Sequence, residues 1–180
     1  PGVRIVDQGH GLAGGIVGKA EDRQVGGVQH PHAPQRLGER RFDVGGGLPV
    51  SYRSGDPEPD LQGYARIVGA LARDTGAELL VEPGRFFVAA SGVMLARVLY
   101  RKHSGGKDYA IVDAGMNDLL RPSHYDAYHQ IDAVRPTGAT ARLDVVGPVC
   151  ESGDWLGRER ALNVQAGDKV AVLSAGAYCM

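Results

Sequence analysis

Glycine decides how this chain must be divided. Of its 180 residues 27 are glycine, about twice the usual share, and Gly9, Gly11, Gly14, Gly15, Gly18, Gly26 and Gly27 crowd the first part. Each glycine inside a helix costs about 1 kcal/mol relative to alanine, so a set this dense removes any helical period. Beyond the short strand-like run Val3-Arg4-Ile5-Val6, no alternating pattern survives either. The pattern changes at Phe42. Residues 1–41 are left unassigned, and organisation is sought in 42–180.

Phe42-Asp43-Val44 reads as the end of a buried strand running into Gly45-Gly46-Gly47. Pro57 and Pro59 then open a helix whose apolar positions Leu61, Tyr64, Ala65, Val68, Leu71 and Ala72 repeat at helical spacing until Gly76. Leu79-Leu80-Val81 is a second apolar strand, ended by Glu82-Pro83-Gly84-Arg85. Strand, helix, strand with ligand-like turns at both strand ends is the layout of a parallel α/β sheet or barrel, where sites collect on that face. After Phe86 the sequence becomes β-rich. Residues 93–100, 109–112, 143–146 and 169–173 are strand candidates, separated by turns such as Ser104-Gly105-Gly106 and Ala166-Gly167-Asp168. The expected class is α/β plus β, with one domain over 42–87 and another over 88–180.

Charge and composition remove several functions. A formal net charge of −1 gives no generic grip on nucleic acid or anionic membrane. The uncharged stretches fall short of the ~20 apolar residues needed to cross a bilayer, and residues 1–20 lack a signal-peptide layout. A soluble, cytoplasmic protein is expected. Cys150 and Cys179 have no metal-site or disulfide-framework spacing, and His30 and His32 have no ligand partner at the right distance in sequence, so no metal is expected. Gly9-x-Gly11-x-x-Gly14 matches a dinucleotide fingerprint, but the helix that should follow would carry Gly15 and Gly18 in its first turns. A dinucleotide-binding module is therefore the lesser reading.

Five features carry chemistry. Gly45-Gly46-Gly47 either lets backbone N–H groups close on a phosphate or is a flexible turn. Glu82 and Arg85 set an acid and a base at a strand end, as ligand groups or as an ion pair. Arg121 and Tyr125, four apart, can hold a carboxylate together; the alternative is a solvated arginine and a packing tyrosine. Cys150 beside Glu151 on a loop is a proton donor or an inert thiol. Tyr178 is a ring contact or a core residue.

The order of these motifs is more specific than any one of them. Asp43-Val44-Gly45-Gly46-Gly47, Glu82-Pro83-Gly84-Arg85, Asp113-Ala114-Gly115-Met116-Asn117-Asp118, Arg121-Pro122-x-x-Tyr125, Gly147-Pro148-x-Cys150-Glu151-Ser152-x-Asp154 and Gly176-Ala177-Tyr178 together resemble the diaminopimelate decarboxylases. These are pyridoxal-phosphate enzymes of the alanine-racemase-like fold. The resemblance covers 42–180 and implies the C-terminal part of a (β/α)8 barrel followed by most of a β-barrel or β-sandwich domain. It implies pyridoxal 5'-phosphate as cofactor, with Gly45, Gly46, Gly47, Gly84 and Arg85 seating the phosphate and Glu82 holding a proton on the ring nitrogen. Tyr178 would complete the phosphate and substrate contacts. Arg85, Arg121 and Tyr125 would bind the retained substrate carboxylate, Glu151 the distal ammonium, and Cys150 would return a proton.

In that family the cysteine and glutamate serve the partner's site, which implies a homodimer with shared active sites. The implied reaction takes meso-2,6-diaminoheptanedioate to L-lysine and CO2. The family's cofactor-bearing lysine lies on an early barrel strand, a context that Lys19, Lys102, Lys107 and Lys169 lack, so a fragment inactive by itself is expected. An ornithine- or arginine-type decarboxylase of the same fold and a non-catalytic pyridoxal-phosphate-binding protein are the alternatives.

Overall fold

The computed structural model describes residues 20–22 and 40–179. They fall into two compact units, one containing 40–49 and 58–84, the other 50–57 and 85–179. The first holds a three-stranded sheet in the order β1-β2-β3, made by β1 (Ala20–Asp22), β2 (Arg40–Asp43) and β3 (Glu78–Leu80), with α1 (Leu61–Thr75) connecting the last two strands. Helix α1 starts where Asp60 accepts the N–H of Gly63 and stops at Gly76, which is left-handed and donates to the Ala72 carbonyl. These are ordinary N-cap and C-cap chemistries.

Strands β2 and β3 run parallel, as the strand-helix-strand pattern requires, whereas β1 is antiparallel to β2. Among the described residues 40–84 supply one parallel β-α-β unit, and a closed barrel needs eight such strands. The second apolar strand is only partly covered, with Leu80 and Val81 exposed. Leu61 and Ala65 on α1 are exposed too, so only part of the helical stripe is covered.

Besides 50–57, the second unit takes in α2 (Gly84–Val88) from Arg85 onward and a 3-10 turn over Ala89–Ser91. Its sheet has the order β6-β9-β4-β5-β7-β8, built from β4 (Met94–Ser104), β5 (Lys107–Val112), β6 (Ile131–Ala133), β7 (Ala141–Val146), β8 (Trp155–Leu162) and β9 (Lys169–Val172), with α3 (Leu120–Tyr125) between β5 and β6. The outer strands β6 and β8 approach each other, so closely that a Cβ on Gly157 would stand 2.8 Å from Ile131 Cδ1. The sheet is thus nearly closed and barrel-like. Strand β4 shows why: Ala96 and Val98 point into the core while Leu95, Arg97 and Leu99 point out. Val112, Leu143, Val145, Leu156, Val164, Val170 and Val172 complete the interior, each Val or Leu stabilising by roughly 1.5–3 kcal/mol when fully buried.

Hairpin β4–β5 turns through Gly105-Gly106, both at positive φ, the conformation a two-residue turn demands. The sequence pattern missed β6 and β8. In β8 the buried Asp144 of β7 accepts the Glu159 N–H at 2.8 Å, Glu159 itself has positive φ, and the register shifts between Leu143 and Val145. A bulge of this kind resets the inward and outward alternation on which strand reading depends. No helix of the described residues is long and apolar enough to cross a membrane.

Candidate functional site

In the first unit the two ligand-like turns are tied together. The β2–β3 pairing continues past the strand ends: Val44 N–H donates to the Leu80 carbonyl, and Glu82 N–H donates to the Gly45 carbonyl, both at 2.9 Å. Asp43 Oδ1 accepts the Gly45 N–H at 2.7 Å. Gly84 N–H closes the second turn on the Glu82 carbonyl. The backbones approach so closely that a Cβ on Gly46 would lie 2.7 Å from Glu82 O, while Gly45 and Gly47 sit at positive φ. The N–H groups of Gly46 and Gly47 make no hydrogen bond to another described residue. The Glu82 carboxylate is on an exposed residue.

The second unit gathers a different set. Arg121, in the first turn of α3, donates from Nη1 to His129 Nε2 at 2.9 Å. Its guanidinium carbon stands 4.6 Å from the centre of the Tyr52 ring, a cation–π contact. His129 is fully buried, and its Nδ1 lies 3.0 Å from the Leu173 carbonyl oxygen. Burial, then the nearby positive charges of Arg121 and Arg160, hold the His129 pKa below the usual histidine value against the Leu173 hydrogen bond. The Tyr52 hydroxyl is buried without a hydrogen-bond partner. Burial raises its pKa, with Arg121 and Arg85 pulling it down and Tyr178 and Cys179 pushing it up. Of these groups, Arg121 stands directly against the Tyr52 ring. Tyr178 is exposed and takes positive φ. Tyr125 is exposed and meets the His124 ring edge-on at 4.6 Å.

A third cluster braces the loop after β7. Asp154 is buried, and its two carboxylate oxygens accept the N–H of Met116 and of Val149, each at 2.7 Å. Gly115 and Gly147 press against the same carboxylate, where a Cβ would collide. The loop so held presents Cys150 and Glu151, both exposed. Hydrogen bonds from Gly153 N–H and the Ser152 hydroxyl hold the Glu151 pKa below the usual glutamate value, leaving a carboxylate ready to meet a cation. Among the described residues, no hydrogen bond or ion pair joins Cys150 or Glu151 to Arg121, Tyr125 or Tyr178.

The structure thus pairs Gly45–Gly47 with Glu82 in the first unit and, in the second, sets Arg121 against Tyr52 and His129 and presents Cys150 with Glu151 on a loop braced by Asp154. Tyr52, His129 and Asp154 were given no role from sequence. Asp154 already closed a quoted motif, and a buried-acid reading of it was open. Nothing local marks His129, whose partner carbonyl is 44 residues away. Gly9, Gly11 and Gly14, with Lys19, His30 and His32, lie outside the described residues.

Residues 11–176 match the family model for the C-terminal sheet domain of pyridoxal-dependent decarboxylases, a span that reaches upstream of Phe42. The diaminopimelate decarboxylase of Pseudomonas aeruginosa is 49% identical over 148 residues, 81% of this chain and 35% of that protein. The crystal structure of Helicobacter pylori diaminopimelate decarboxylase complexed with L-lysine aligns with a TM-score of 0.69 at 43% identity, over 77% of this chain and 34% of that one. A Vibrio vulnificus lysine/ornithine decarboxylase complexed with cadaverine aligns with a TM-score of 0.66 at 29% identity, over 77% and 38%. The chain spans about a third of the length of these relatives. On the strength of a model match over most of its length, the chain belongs to the pyridoxal-dependent decarboxylase family.

Proposed function

We propose that the polypeptide carrying this region is a diaminopimelate decarboxylase, acting in the cytoplasm as a homodimer with shared active sites and converting meso-2,6-diaminoheptanedioate to L-lysine and CO2. One observation carries the reading: a single compact unit holds an immobilised Arg121 and an exposed Cys150–Glu151 loop braced by Asp154, in a chain nearly half identical to diaminopimelate decarboxylases. Residues 42–87 are read as part of a (β/α)8 barrel on the parallel pairing of β2 and β3, and 88–180 as the β domain.

The residues present fit the cofactor's phosphate. Gly46 and Gly47 have N–H groups without a described partner, on a turn too tight for a Cβ at Gly46, which is the construction of an anion-binding backbone nest. Pyridoxal phosphate, when bound, supplies a protonated ring that accepts the electron pair left at Cα as CO2 departs. Gly46 and Gly47 would donate backbone N–H groups to the phosphate, with Gly45, Gly84 and the backbone of Arg85 seating it, and Glu82 would keep a proton on the pyridine nitrogen. Tyr178, held at a backbone angle that costs of order 1 kcal/mol, completes the phosphate and substrate contacts. Arg121, Arg85 and Tyr125 bind the carboxylate that is retained. Glu151 binds the distal ammonium, and Cys150 delivers a proton to Cα.

The test is CO2 release by the whole polypeptide from meso-2,6-diaminoheptanedioate, L-ornithine, L-arginine and L-lysine side by side. Release from the first alone, with L-lysine as product, is the expected result. Turnover of ornithine, arginine or lysine instead would assign it to the other decarboxylases of this fold.

A further inference from the structure

A guanidinium has five N–H donors and no acceptor. The 2.9 Å contact of Arg121 Nη1 with His129 Nε2 therefore requires an Nε2 without a proton. The opposite ring nitrogen lies 3.0 Å from the Leu173 carbonyl oxygen, which can only accept, so Nδ1 carries the proton. The two partners together leave one species: a neutral imidazole in the Nδ1–H tautomer. Its surroundings agree. The ring is fully buried, Tyr52 meets it at 5.0 Å and 67°, and the charged groups facing it are Arg121 on α3 and Arg160 on β8.

We propose that His129 is the positioning residue of Arg121. The neutral ring, anchored on Leu173, accepts a hydrogen bond from one guanidinium N–H and, with Tyr52 against the guanidinium, fixes the direction in which the remaining donors face. Those donors are the ones assigned above to the retained carboxylate, so the inference rests on that reading of Arg121. Protonation of Nε2 would set donor against donor and charge against charge, releasing the arginine.

Nitrogen-15 NMR of the histidine-labelled chain at pH 7 tests this without any ligand. An unprotonated, pyridine-type Nε2 and a protonated Nδ1 are expected for His129; an imidazolium or an Nε2–H tautomer would overturn the proposal. The Arg121 Nε–H resonance, assigned by its loss in R121K, should be sharp in the wild type. It should broaden in H129A and sharpen again in H129Q, since glutamine can donate to Leu173 and accept from Arg121. An Arg121 signal unchanged in H129A would equally overturn it, and the wild-type tautomer decides the matter if H129A does not fold. Failure of the carboxylate reading shows separately, as equal L-lysine affinity in wild type and R121K with the tautomer as expected.

Discussion

Asp154 Oδ2 accepts the N–H of Val149 at 2.7 Å, so one buried carboxylate holds the residue immediately before Cys150. Its other oxygen holds Met116, which couples the loop after β5 to the loop after β7. Asp154→Ala strands both donors, and at about 1–3 kcal/mol for each buried donor left unpaired, discounted for partial exposure, it should cost about 2–4 kcal/mol of stability. Asp154→Asn keeps the shape but only one accepting oxygen, and should lose less. Urea unfolding of the two variants measures the difference; equal stability of D154A and wild type would refute the brace.

His129 should give the protein an acid-sensitive step. Its pKa in the fold is below the unfolded value of about 6.5, so between those two values the unfolded chain binds more protons than the native one. Stability then rises with pH through this window and falls as pH drops from about 6.5 toward the folded pKa. Carboxylates contribute lower, below about pH 5. In H129Q the step near neutrality should vanish while the acid carboxylate limb stays. Urea midpoints at pH 8, 7, 6 and 5 for both proteins would show it.

Gly46 and Gly84 should respond unequally to a single added methyl. At Gly46 the Cβ would meet the Glu82 carbonyl at 2.7 Å, whereas at Gly84 it meets nothing within 4 Å. Forcing backbone apart in a tight contact costs about 1–3 kcal/mol. Gly46→Ala should lower the unfolding midpoint and, in the whole enzyme, weaken pyridoxal phosphate retention followed by absorbance. Gly84→Ala should leave stability within about 0.5 kcal/mol of wild type.

Local chemistry was what the sequence displayed best. Gly76 ends α1 where the sequence pattern placed its end, and Gly105-Gly106 makes the β4–β5 hairpin, because caps and two-residue turns depend on residues a few places apart. Four strands of the second unit were visible as apolar runs. Strand β8 was hidden by Glu159, whose bulge answers to Asp144 across the sheet. The segment 50–57 belongs with 85–179 rather than with its sequence neighbours, so Tyr52 reaches Arg121 and His129 through tertiary folding alone. The site was legible where a motif is contiguous, as at Cys150-Glu151, and silent where a side chain acts through a distant carbonyl, as at His129.

On the roles proposed for them, Arg121 and Cys150 should separate binding from proton transfer in the whole enzyme. Arg121→Ala removes a charge-assisted partner of the carboxylate, worth about 1.5–3 kcal/mol, and should act mainly on KM. Cys150→Ala removes a positioned acid and should lower kcat by roughly 10²–10⁴-fold with cofactor binding nearly intact. In the proposed dimer Arg121 serves its own site and Cys150 the partner's. Mixed dimers of R121A and C150A should then regain activity, because one of the two sites would carry neither change and the other both. Co-refolded mixtures of the variants, compared with each variant alone in steady-state kinetics, measure this: recovery to a fraction of wild-type turnover is expected, and activity no higher than that of the separate variants would rule out the shared-site dimer.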